Sequence, residues 1–498
     1  MAVTTMLPLG ESVTNAIPPA PPVEGDSANV AALRAAISHL QMTGGGKISL
    51  PAGTYRFSQT AGSIISLDGL ANVEIDATGV KMVLSGRAQA LLISACRGVR
   101  ITGLTVDWAR PPFSQGTVIF VEPDGKSTDI MLDTLSPADG WTRVEAIGTY
   151  DRARRLTAVA GVDVYHVVDK VDPISSFHVR LGLSQPIDLR VGDTVVLRHQ
   201  IYGTNAIDLR RCADVELDRV TVHSAPGMAV VGSRCSGVTL RELSVVPPPR
   251  SKRLMSTCAD GAHFVDCDGK ILFERCRFFA MGDDAINVHG TYWRILEQAE
   301  SNALIVNKRD RASFKKLELP KDGDKFSFAS GKGLASMGSG TLMEAAVRDD
   351  APMNLKLVFK EPLPDALVPG DVIIRIGHGH SLTVRECRFD GNRARGVLAH
   401  RDVAILNNSF LGQSEEAILM APDLWWMEGP EVANVVIRGN NIKDVNRSGH
   451  AAGAIRIDSV VATDGGQAHG NVGHPNHNVQ LMENVIQGGH SQVVLRGF

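Results

Sequence analysis

The sequence predicts an all-β protein, a right-handed parallel β-helix (solenoid) with a small β-barrel domain inserted into it. The main observation is an internal repeat of a small or Asn/Asp residue followed by alternating apolar positions. The repeat begins at Asn72, Gly98, Asp214, Gly237, Lys270, Ser381, Asp402, Asn434 and Asn478. Offsets of 23 residues from Asp214 to Gly237 and 21 from Ser381 to Asp402 match the length of about 20–25 residues that is typical of one coil. The 49 glycines and 24 prolines suit a chain with many tight turns.

The N-terminal region predicts an arm followed by a cap. Residues 1–25 are rich in Pro and Thr, which is typical of an extended arm. A helix is predicted from about Val30 to Leu40, and Gly44–Gly46 ends it. This helix and the strand, turn and strand of 47–57 resemble the N-terminal cap of pectin-lyase-like β-helices. Because such a cap covers the open apolar end of a solenoid, residues 26–110 are predicted to hold the cap and the first coils.

Two stretches interrupt the repeat, at 111–200 and 291–376. Both are strand-like, and both end in a Gly-Asp pair followed by an apolar strand. Similar insertions that leave neighbouring coils lie side by side, so we expect each to form half of one small β-barrel. The second insertion follows the acidic motif described below, so the barrel is expected to wall the active-site cleft. The rest of the β-helix then comprises 201–290, with the acids, and the C-terminal coils 377–498.

Composition and charge exclude several classes of protein. The formal net charge of −3 gives no basic surplus for binding nucleic acid. No stretch reaches the roughly 20 apolar residues of a membrane span. The seven cysteines form no CxxC pair, which argues against a zinc site and favours small buried core residues. Residues 1–15 predict no signal peptide, so the protein is either cytoplasmic, or secreted or periplasmic if an export signal has been removed.

The sharpest local feature is the motif Met281–Gly290, in which Asp283 and Asp284 are adjacent. Adjacent carboxylates repel and are costly to bury, so the pair indicates a function. Asp260 lies 24 residues, or one coil, before Asp284, so a solenoid stacks it beside the pair. Two acids flanking a glycosidic bond suffice to hydrolyse it without a metal or other cofactor, one as proton donor and the other as base or nucleophile. A structural Asp ladder and a calcium site are the alternatives.

The acidic motif and three other segments resemble glycoside hydrolase family 110, the exo-α-1,3-galactosidases. The segments are Gly282–Tyr292, Asp310–Phe314, Asn392–Leu398 and Trp425–Gly429. The resemblance covers most of residues 26–498, and it implies that Asp260 is the general acid. It also implies that Asp283 and Asp284 hold the nucleophilic water, with inversion at the anomeric carbon. The spacing alone does not divide the roles among the three acids. Ala399–Asp402 departs from the family pattern, in which a segment rich in Ser and Thr is expected.

Seven further side chains are candidates for binding the sugar. They are His263, Asn287, His289, Arg395, Trp425, Trp426 and Glu428. Imidazole, amide and guanidinium groups bind hydroxyls, an indole stacks on the apolar face of a pyranose, and a carboxylate accepts hydrogen bonds from hydroxyls. A structural role is the alternative for each of them. Glu415–Glu416 is assigned to a turn, and the basic loop 250–253 to a solvated surface with an anionic substrate as its alternative.

These features favour an inverting exo-glycoside hydrolase that releases terminal α-1,3-linked galactose from glycans. The alternative is another β-helix glycosidase of polygalacturonase-like type acting on an anionic polysaccharide, for which only the 250–253 loop and Arg401 supply basic residues. A polysaccharide lyase would need a Lys or Arg base, and a non-catalytic carbohydrate-binding solenoid would not need the acids. The predicted partner is an oligosaccharide or polysaccharide, with no nucleic acid and no membrane span. A homo-oligomer is left open.

Overall fold

The computed structural model describes residues 15–16, 27–58, 61–133, 143–307, 319–349, 351–376, 380–458, 460–462, 468–471, 477–488 and 492–496. The predicted N-terminal arm lies outside these residues except for Asn15–Ala16, and the segment Asp310–Phe314 lies outside them entirely. Within the described ranges the chain winds through three long parallel β-sheets, which are called sheets 1, 2 and 3 below.

Each coil contributes one short strand to each sheet. Sheet 1 contains Asn15–Ala16, Gly46–Ser49, Ala71–Asp76, Arg97–Thr102, Ala213–Asp218, Ser236–Arg241, Asp268–Glu274, His380–Arg385, Arg401–Leu406, Ala433–Arg438 and His477–Met482. Sheet 2 contains Gly53–Phe57, Val80–Leu84, Thr105–Trp108, Thr221–Val222, Ser244–Val245, Arg277–Phe279, Arg388–Asp390, Ser409–Leu411, Asn441–Lys443 and Val485–Gln487. Sheet 3 contains Ser63–Asp68, Gln89–Ser94, Ile207–Arg210, Val230–Ser233, Ala262–Val265, Ile286–Glu300, Val397–Ala399, Ile418–Met420, Ile455–Asp458 and Val493–Arg496. This is the architecture of a parallel β-helix, as predicted.

The predicted sequence repeat lies on sheet 1. The first apolar position of every repeat pairs in register with that of the next, in the order Val73, Val99, Val215, Val238, Ile271, Leu382, Val403, Val435 and Val479. The residue before this position has a left-handed backbone in many coils, with φ of 54° at Asn72 and 56° at Asp214. Asn, Asp and Gly tolerate this conformation best, which explains the small or Asn/Asp residue that opens each repeat.

A helix, α1 (Ser27–Thr43), precedes the first coil. It extends about three residues beyond both ends of the predicted helix, and Gly44 ends it with φ of 76°. Leu33, Ile37 and Leu40 on one face are buried in the same apolar core as the first coils. No helix in the described ranges is long and apolar enough to cross a membrane.

The core of the solenoid contains stacked columns of identical side chains. Phe278, Phe389 and Phe410 stack in successive coils, with ring centroids 5.3 Å and 4.5 Å apart and nearly parallel planes. All seven cysteines are buried and free of disulfides, as predicted. Cys212, Cys235 and Cys258 recur every 23 residues, the length of one coil, but Cys258 does not continue the column of cysteines. The sulfur that continues the column from Cys235 belongs to Cys267, which accepts a hydrogen bond from the Cys235 N–H at 3.4 Å.

A column of asparagines occupies the corner between sheets 1 and 2. Nδ2 of Asn408 donates to Oδ1 of Asn440, and Nδ2 of Asn440 donates to Oδ1 of Asn484, both at 2.9 Å. Of the four corner asparagines Asn407, Asn408, Asn440 and Asn441, only Asn407 has the left-handed backbone of a turn residue, with φ of 56°. Asn408 and Asn440 instead point inward, where the amides satisfy each other and the backbone.

The first insertion folds into an antiparallel sheet of its own. Its strands are Phe113–Val121, Ser127–Leu132, Ala146–Asp151, Leu156–Thr157, Asp163–Tyr165, Val168–Ser175, His178–Leu183 and Thr194–Arg198. They bury an apolar cluster drawn from this insertion alone, which includes Val118, Ile147 and Leu181. A second cluster joins Phe113 and Tyr150 to Met255 and therefore packs the insertion on the coil that carries Asp260.

The second insertion pairs in a closed cycle. The outer part of Ile286–Glu300 is joined by Ala303–Asn307, Ala351–Phe359, Ser336–Arg348, Lys325–Ala329 and Val372–Ile376, which returns to the first strand. This cycle encloses its own apolar cluster, which includes Phe326 and Phe359. Within the described ranges no strand of one insertion pairs with a strand of the other. A single barrel built from both insertions is therefore not confirmed, because each insertion satisfies its own hydrogen bonds and has its own core.

Two short pairs complete the described strands. Glu428–Gly429 pairs antiparallel with Gly290 and Thr291, which fixes the loop before it over sheet 3. Val460–Ala462 pairs with Ala468–Asn471.

Candidate active site

A cavity of about 890 Å³ lies over the outer face of sheet 3 and contains all three predicted acids. The first insertion and the segment after it form one wall, with Glu145, Tyr165, His166 and the residues Gln200, Ile201, Tyr202 and Gly203. The loop from Ala421 to Glu428 forms part of the opposite wall. Among the described residues of 291–376, none lines the cavity, so the described part of the second insertion does not supply the expected wall. The reason is that Ile286–Glu300 carries the chain about 3.3 Å per residue away from the acids.

The register of sheet 3 places the acids together. Ala262 pairs with Ile286, so Asp260 and Asp284 occupy matching positions at the entry of neighbouring strands. The N–H of Gly261 donates to the carbonyl of Asp284 at 2.9 Å, which ties the two coils at this point. A Cβ on Gly261 would lie 2.6 Å from the carbonyl oxygen of Ala285, so only glycine fits between the coils here. The one-coil offset read from the sequence therefore gives the correct juxtaposition.

Asp283 accepts hydrogen bonds on both carboxylate oxygens. Oη of Tyr202 donates to Oδ2 at 2.8 Å, and Nη1 of Arg393 donates to Oδ1 at 3.2 Å. Arg393 also pairs with Asp163 of the first insertion at 2.6 Å. The insertion and the following coil therefore hold Asp283 from two sides, which fixes the direction of its carboxylate.

Asp284 is held mainly by the next coil. The backbone N–H of Arg395 donates to its Oδ1 at 2.8 Å, and Nη1 of the same arginine lies 3.5 Å away. Nε of Arg395 in turn lies 2.9 Å from Oε2 of Glu415. Burial raises the pKa of Asp284 well above its usual range, Arg395 opposes this, and the Asp283 and Asp260 carboxylates add to it.

Asp260 is the most isolated of the three acids from cations. Burial raises its pKa well above the usual range, and the Asp283 and Glu428 carboxylates raise it further. Its Oδ2 lies 2.7 Å from Nδ1 of His263, and the pKa of His263 is lowered by burial. Clustered, desolvated carboxyl groups of this kind keep at least one proton near neutral pH, which is the state a general acid requires.

The opposite wall presents aromatic rings and further carboxyl groups. Asp423 accepts hydrogen bonds from the backbone N–H groups of Trp425 and Trp426 at 2.7 and 2.8 Å, which orders this turn. Trp426 is 38% exposed, and its ring lines the cavity beside Trp425. Burial raises the pKa of Glu428, whose Oε2 accepts a hydrogen bond from Asn287 at 3.4 Å.

The structure places all but one of the predicted site residues on the cavity surface. His289 is the exception, because it lies behind His263 and is 2% exposed. Sequence reasoning missed Tyr202, Arg393 and Glu415, which also line the cavity. Glu415 was assigned to a turn. Arg393 lies in the segment Asn392–Leu398 that carries the family resemblance, but no role was predicted for it. Tyr202 follows the end of an insertion, and no periodicity marks it.

The cations of the cavity are already paired. Their partners are Asp283 and Asp163 for Arg393, Asp284 and Glu415 for Arg395, and Glu416 and Asp458 for Arg456. The basic loop 250–253 lies outside the cavity lining, where Arg253 pairs with Asp107 at 2.8 Å, and Arg401 pairs with Glu431. The basic residues that suggested an anionic polysaccharide therefore do not face this cavity. In the described part of the chain no group of three or more His, Cys, Asp or Glu side chains is arranged to hold a metal ion.

Comparison with known proteins gives the relatives of this chain. It is 28% identical to alpha-1,3-galactosidase B of Akkermansia muciniphila over 444 residues, or 82% of this chain. It is 24% and 26% identical to the alpha-1,3-galactosidases A of Shewanella woodyi and Bacteroides fragilis, over 85% and 89% of this chain. The chain is similar to bacterial alpha-1,3-galactosidases. The predicted resemblance to the alpha-1,3-galactosidases is therefore confirmed.

The chain spans 55% of the length of the Akkermansia alpha-1,3-galactosidase, and 75% and 79% of the Shewanella and Bacteroides proteins. No family model matches it. Among solved structures, the A-module of a mannuronan C-5 epimerase from Azotobacter vinelandii is 11% identical, with a TM-score of 0.39 over 94% of this chain and 84% of that chain. The tailspike of Escherichia coli bacteriophage HK620 in complex with a pentasaccharide is 12% identical, with a TM-score of 0.42 over 97% of this chain and 58% of that chain.

Proposed function

We propose that this chain is an inverting exo-glycoside hydrolase that releases terminal α-1,3-linked galactose from glycans. The observation that carries the proposal is the similarity to alpha-1,3-galactosidases over more than four fifths of the chain. The three buried carboxyl groups on the floor of one cavity supply the chemistry that such a reaction needs. An oligosaccharide or polysaccharide is the expected substrate. Its hydrolysis by carboxyl groups needs no cofactor.

Asp260 acts as the general acid in this proposal. Its raised pKa leaves the carboxyl group protonated for transfer to the glycosidic oxygen. Asp283 and Asp284 hold the attacking water, and Tyr202 and Arg393 keep the Asp283 carboxylate oriented towards it. A single displacement by this water inverts the anomeric carbon without a covalent intermediate.

The cavity is shaped to receive the end of a glycan. The apolar faces of Trp425 and Trp426 are proposed to stack on the galactose ring, while Glu428, Asn287 and Arg395 bind its hydroxyls. Walls on both sides of the acids favour release of a single terminal sugar over cleavage within a chain.

The inserted strands are part of the proposal. We propose that the second insertion, whose strands pair in a closed cycle, forms the small β-barrel of the fold. The first insertion forms a separate sheet that walls the substrate cavity, because its Tyr165 and Asp163 reach the acid site.

An NMR time course with a Galα1,3Gal disaccharide tests the reaction. The expected first product is β-galactose, which then mutarotates. Asp260→Asn, Asp283→Asn and Asp284→Asn should each abolish release, whereas Asp188→Asn, a fully solvated control that is 79% exposed, should not. Early α-galactose would refute inversion, and no galactose at all would refute the substrate.

Substrates with different leaving groups test the division of roles. The dinitrophenolate group of a dinitrophenyl α-galactoside leaves without needing a proton. Asp260→Asn should therefore still hydrolyse this substrate at a rate within about tenfold of wild type. Loss of the base should abolish hydrolysis of both substrates. If Asp283→Asn or Asp284→Asn still hydrolyses the dinitrophenyl α-galactoside and Asp260→Asn does not, the assignment of Asp260 as the general acid is wrong.

A further inference from the structure

From the cavity floor inwards, Asp260, His263 and His289 form a continuous line of hydrogen bonds. Nδ1 of His263 lies 2.7 Å from Asp260, and its Nε2 lies 2.9 Å from Nε2 of His289. Nδ1 of His289 lies 2.9 Å from the carbonyl oxygen of Gly290. The two rings meet edge to face, with centroids 4.9 Å apart and planes at 89°. All three side chains are at least 96% buried, so bulk water does not compete for these bonds.

The line has a direction that its last member sets. The carbonyl of Gly290 only accepts hydrogen bonds, so Nδ1 of His289 carries a proton. A neutral His289 then has a lone pair on Nε2, and Nε2 of His263 must be the donor across the 2.9 Å contact. Nδ1 of the neutral His263 is therefore an acceptor. The only group in this line that can donate to it is Asp260 in its protonated form.

The groups around Asp260 and His263 also influence which of the two carries the shared proton. The groups that face Asp260 and His263 come from four places: Asp283 and Asp284 from the adjacent coil, Arg395 from the coil beyond, Glu428 from the loop strand, and Tyr202 from the segment after the first insertion. Burial raises the pKa of Asp260 and lowers that of His263, so both shifts favour a neutral acid beside a neutral imidazole. Glu428 lies 3.6 Å from Nε2 of His289 and is the nearest carboxylate to that end of the line.

We propose that His263 and His289 are positioning residues that keep the dissociable proton on Asp260 by fixing the tautomer of His263. The inference rests on the proposed function, in which Asp260 is the general acid. An ionised Asp260 would face the lone pair of Nδ1 and lose its hydrogen bond, so the line disfavours ionisation. The sequence suggested sugar contacts for both histidines, but their ring nitrogens are engaged within this line.

The line also restores the acid after each turnover. In the reaction the O–H bond of Asp260 breaks and its proton passes to the glycosidic oxygen, while the C–O bond breaks and leaves its electron pair on that oxygen. Water forms the new bond to the anomeric carbon and gives its proton to the base. The new Asp260 carboxylate faces the Nδ1 lone pair of His263, so it takes up a proton through the water that refills the cavity, and the base returns to that water the proton it received.

The test is the pH dependence of kcat/KM for Galα1,3Gal, whose alkaline limb reports the ionisation of the acid in the free enzyme. His289→Leu removes the acceptor for His263 and lets it donate through Nδ1 to an ionised Asp260. The alkaline limb should then move to lower pH by about one unit or more. His289→Gln offers a carbonyl oxygen at the same place and should restore the wild-type limb.

Two controls separate this role from general damage. His400→Leu removes another fully buried histidine, outside the line, and should leave the limb in place. Hydrolysis of dinitrophenyl α-galactoside, which needs no acid, should persist within a few-fold in His289→Leu. An unchanged limb in His289→Leu, or an equal shift in His400→Leu, would overturn the inference.

Nitrogen NMR of wild-type protein labelled in its histidine rings reads the tautomer without any substrate. At neutral pH, His263 should be protonated on Nε2 and unprotonated on Nδ1, and His289 should carry its proton on Nδ1. The opposite tautomer of His263 would refute the inference whatever the activity. If the tautomers are as expected but neither galactoside is hydrolysed, the proposed function fails and the hydrogen-bonded line stands.

Discussion

Arg198 ties the first insertion to both coils that carry acids, so its loss should weaken the fold and the reaction together. Its side chain is only 4% exposed. Nη1 donates to the carbonyl oxygens of Cys258 at 3.2 Å and of Gly282 at 2.8 Å. These carbonyls immediately precede the segments that carry Asp260 and Asp283. One guanidinium group therefore sets the spacing of the two coils at the site.

The size of the effect follows from these contacts. Arg198→Met keeps the buried apolar stem but leaves both carbonyls without this donor. A hydrogen bond from a charged group contributes about 1.5–3 kcal/mol, so two amount to about 3–6 kcal/mol. The variant also escapes the cost of burying a cation, so we expect a net loss of about 3 kcal/mol, or about 150-fold in the unfolding equilibrium. A shift of about 1 Å in the acid-bearing backbone should lower kcat by about 100-fold.

The assay pairs urea unfolding, followed by tryptophan fluorescence, with kcat on Galα1,3Gal. Arg190→Met is the matched control, because Arg190 is 76% exposed and pairs with an equally exposed Asp188 at 3.1 Å. Such a surface pair contributes about 0–1 kcal/mol, so this variant should unfold and turn over like wild type. If Arg198→Met behaves like Arg190→Met in both measurements, the proposed bracing of the acids is wrong.

Three other substitutions are predicted together. Tyr202→Phe removes the 2.8 Å hydrogen bond to Asp283 and should lower kcat about tenfold with little change in the urea midpoint; unchanged kcat would exclude an orienting role. Asp284→Asn should raise the free energy of unfolding at pH 8 but not at pH 4. Folding raises the pKa of this acid, so the folded state binds its proton more tightly and wild-type stability falls as pH rises above about 3.9. A Tm difference independent of pH would contradict this. Asn440→Leu should lower stability by about 3 kcal/mol because it leaves several buried groups without partners, whereas Asn441→Ala, at a more exposed position, should not.

The sequence was sufficient to predict the solenoid because each coil repeats a local rule. Alternation of apolar side chains and a residue that tolerates a left-handed backbone recur at every turn, so Val73 and Val479 were assigned to the same sheet across 406 residues of chain. Prediction from the repeat fails where the length of a coil changes. Cys258 lies 23 residues after Cys235, the spacing of the cysteine column, but this coil is longer, and Cys267, 32 residues after Cys235, takes that place.

The site was predictable to the extent that it follows the same rule. Asp260 and Asp284 are one coil apart in sequence, and parallel pairing brings them together. Tyr202 and Arg393 reach Asp283 from 81 and 110 residues away along the chain, and no repeat of the sequence relates either of them to it. The insertions were located by the loss of the repeat, but which of them faces the acids depends on the end of the strand from which each leaves.

The sequence by itself determined the coil, its register and the cluster of acids, because these depend on interactions between residues one period apart. The tertiary structure decided which groups hold each acid, where the wall of the cavity lies, and how His263 and His289 connect to Asp260. Those relations depend on the path of long insertions and on the directions of individual hydrogen bonds. Neither leaves a periodic trace in the sequence, since each is set by packing between parts of the chain that are far apart along it.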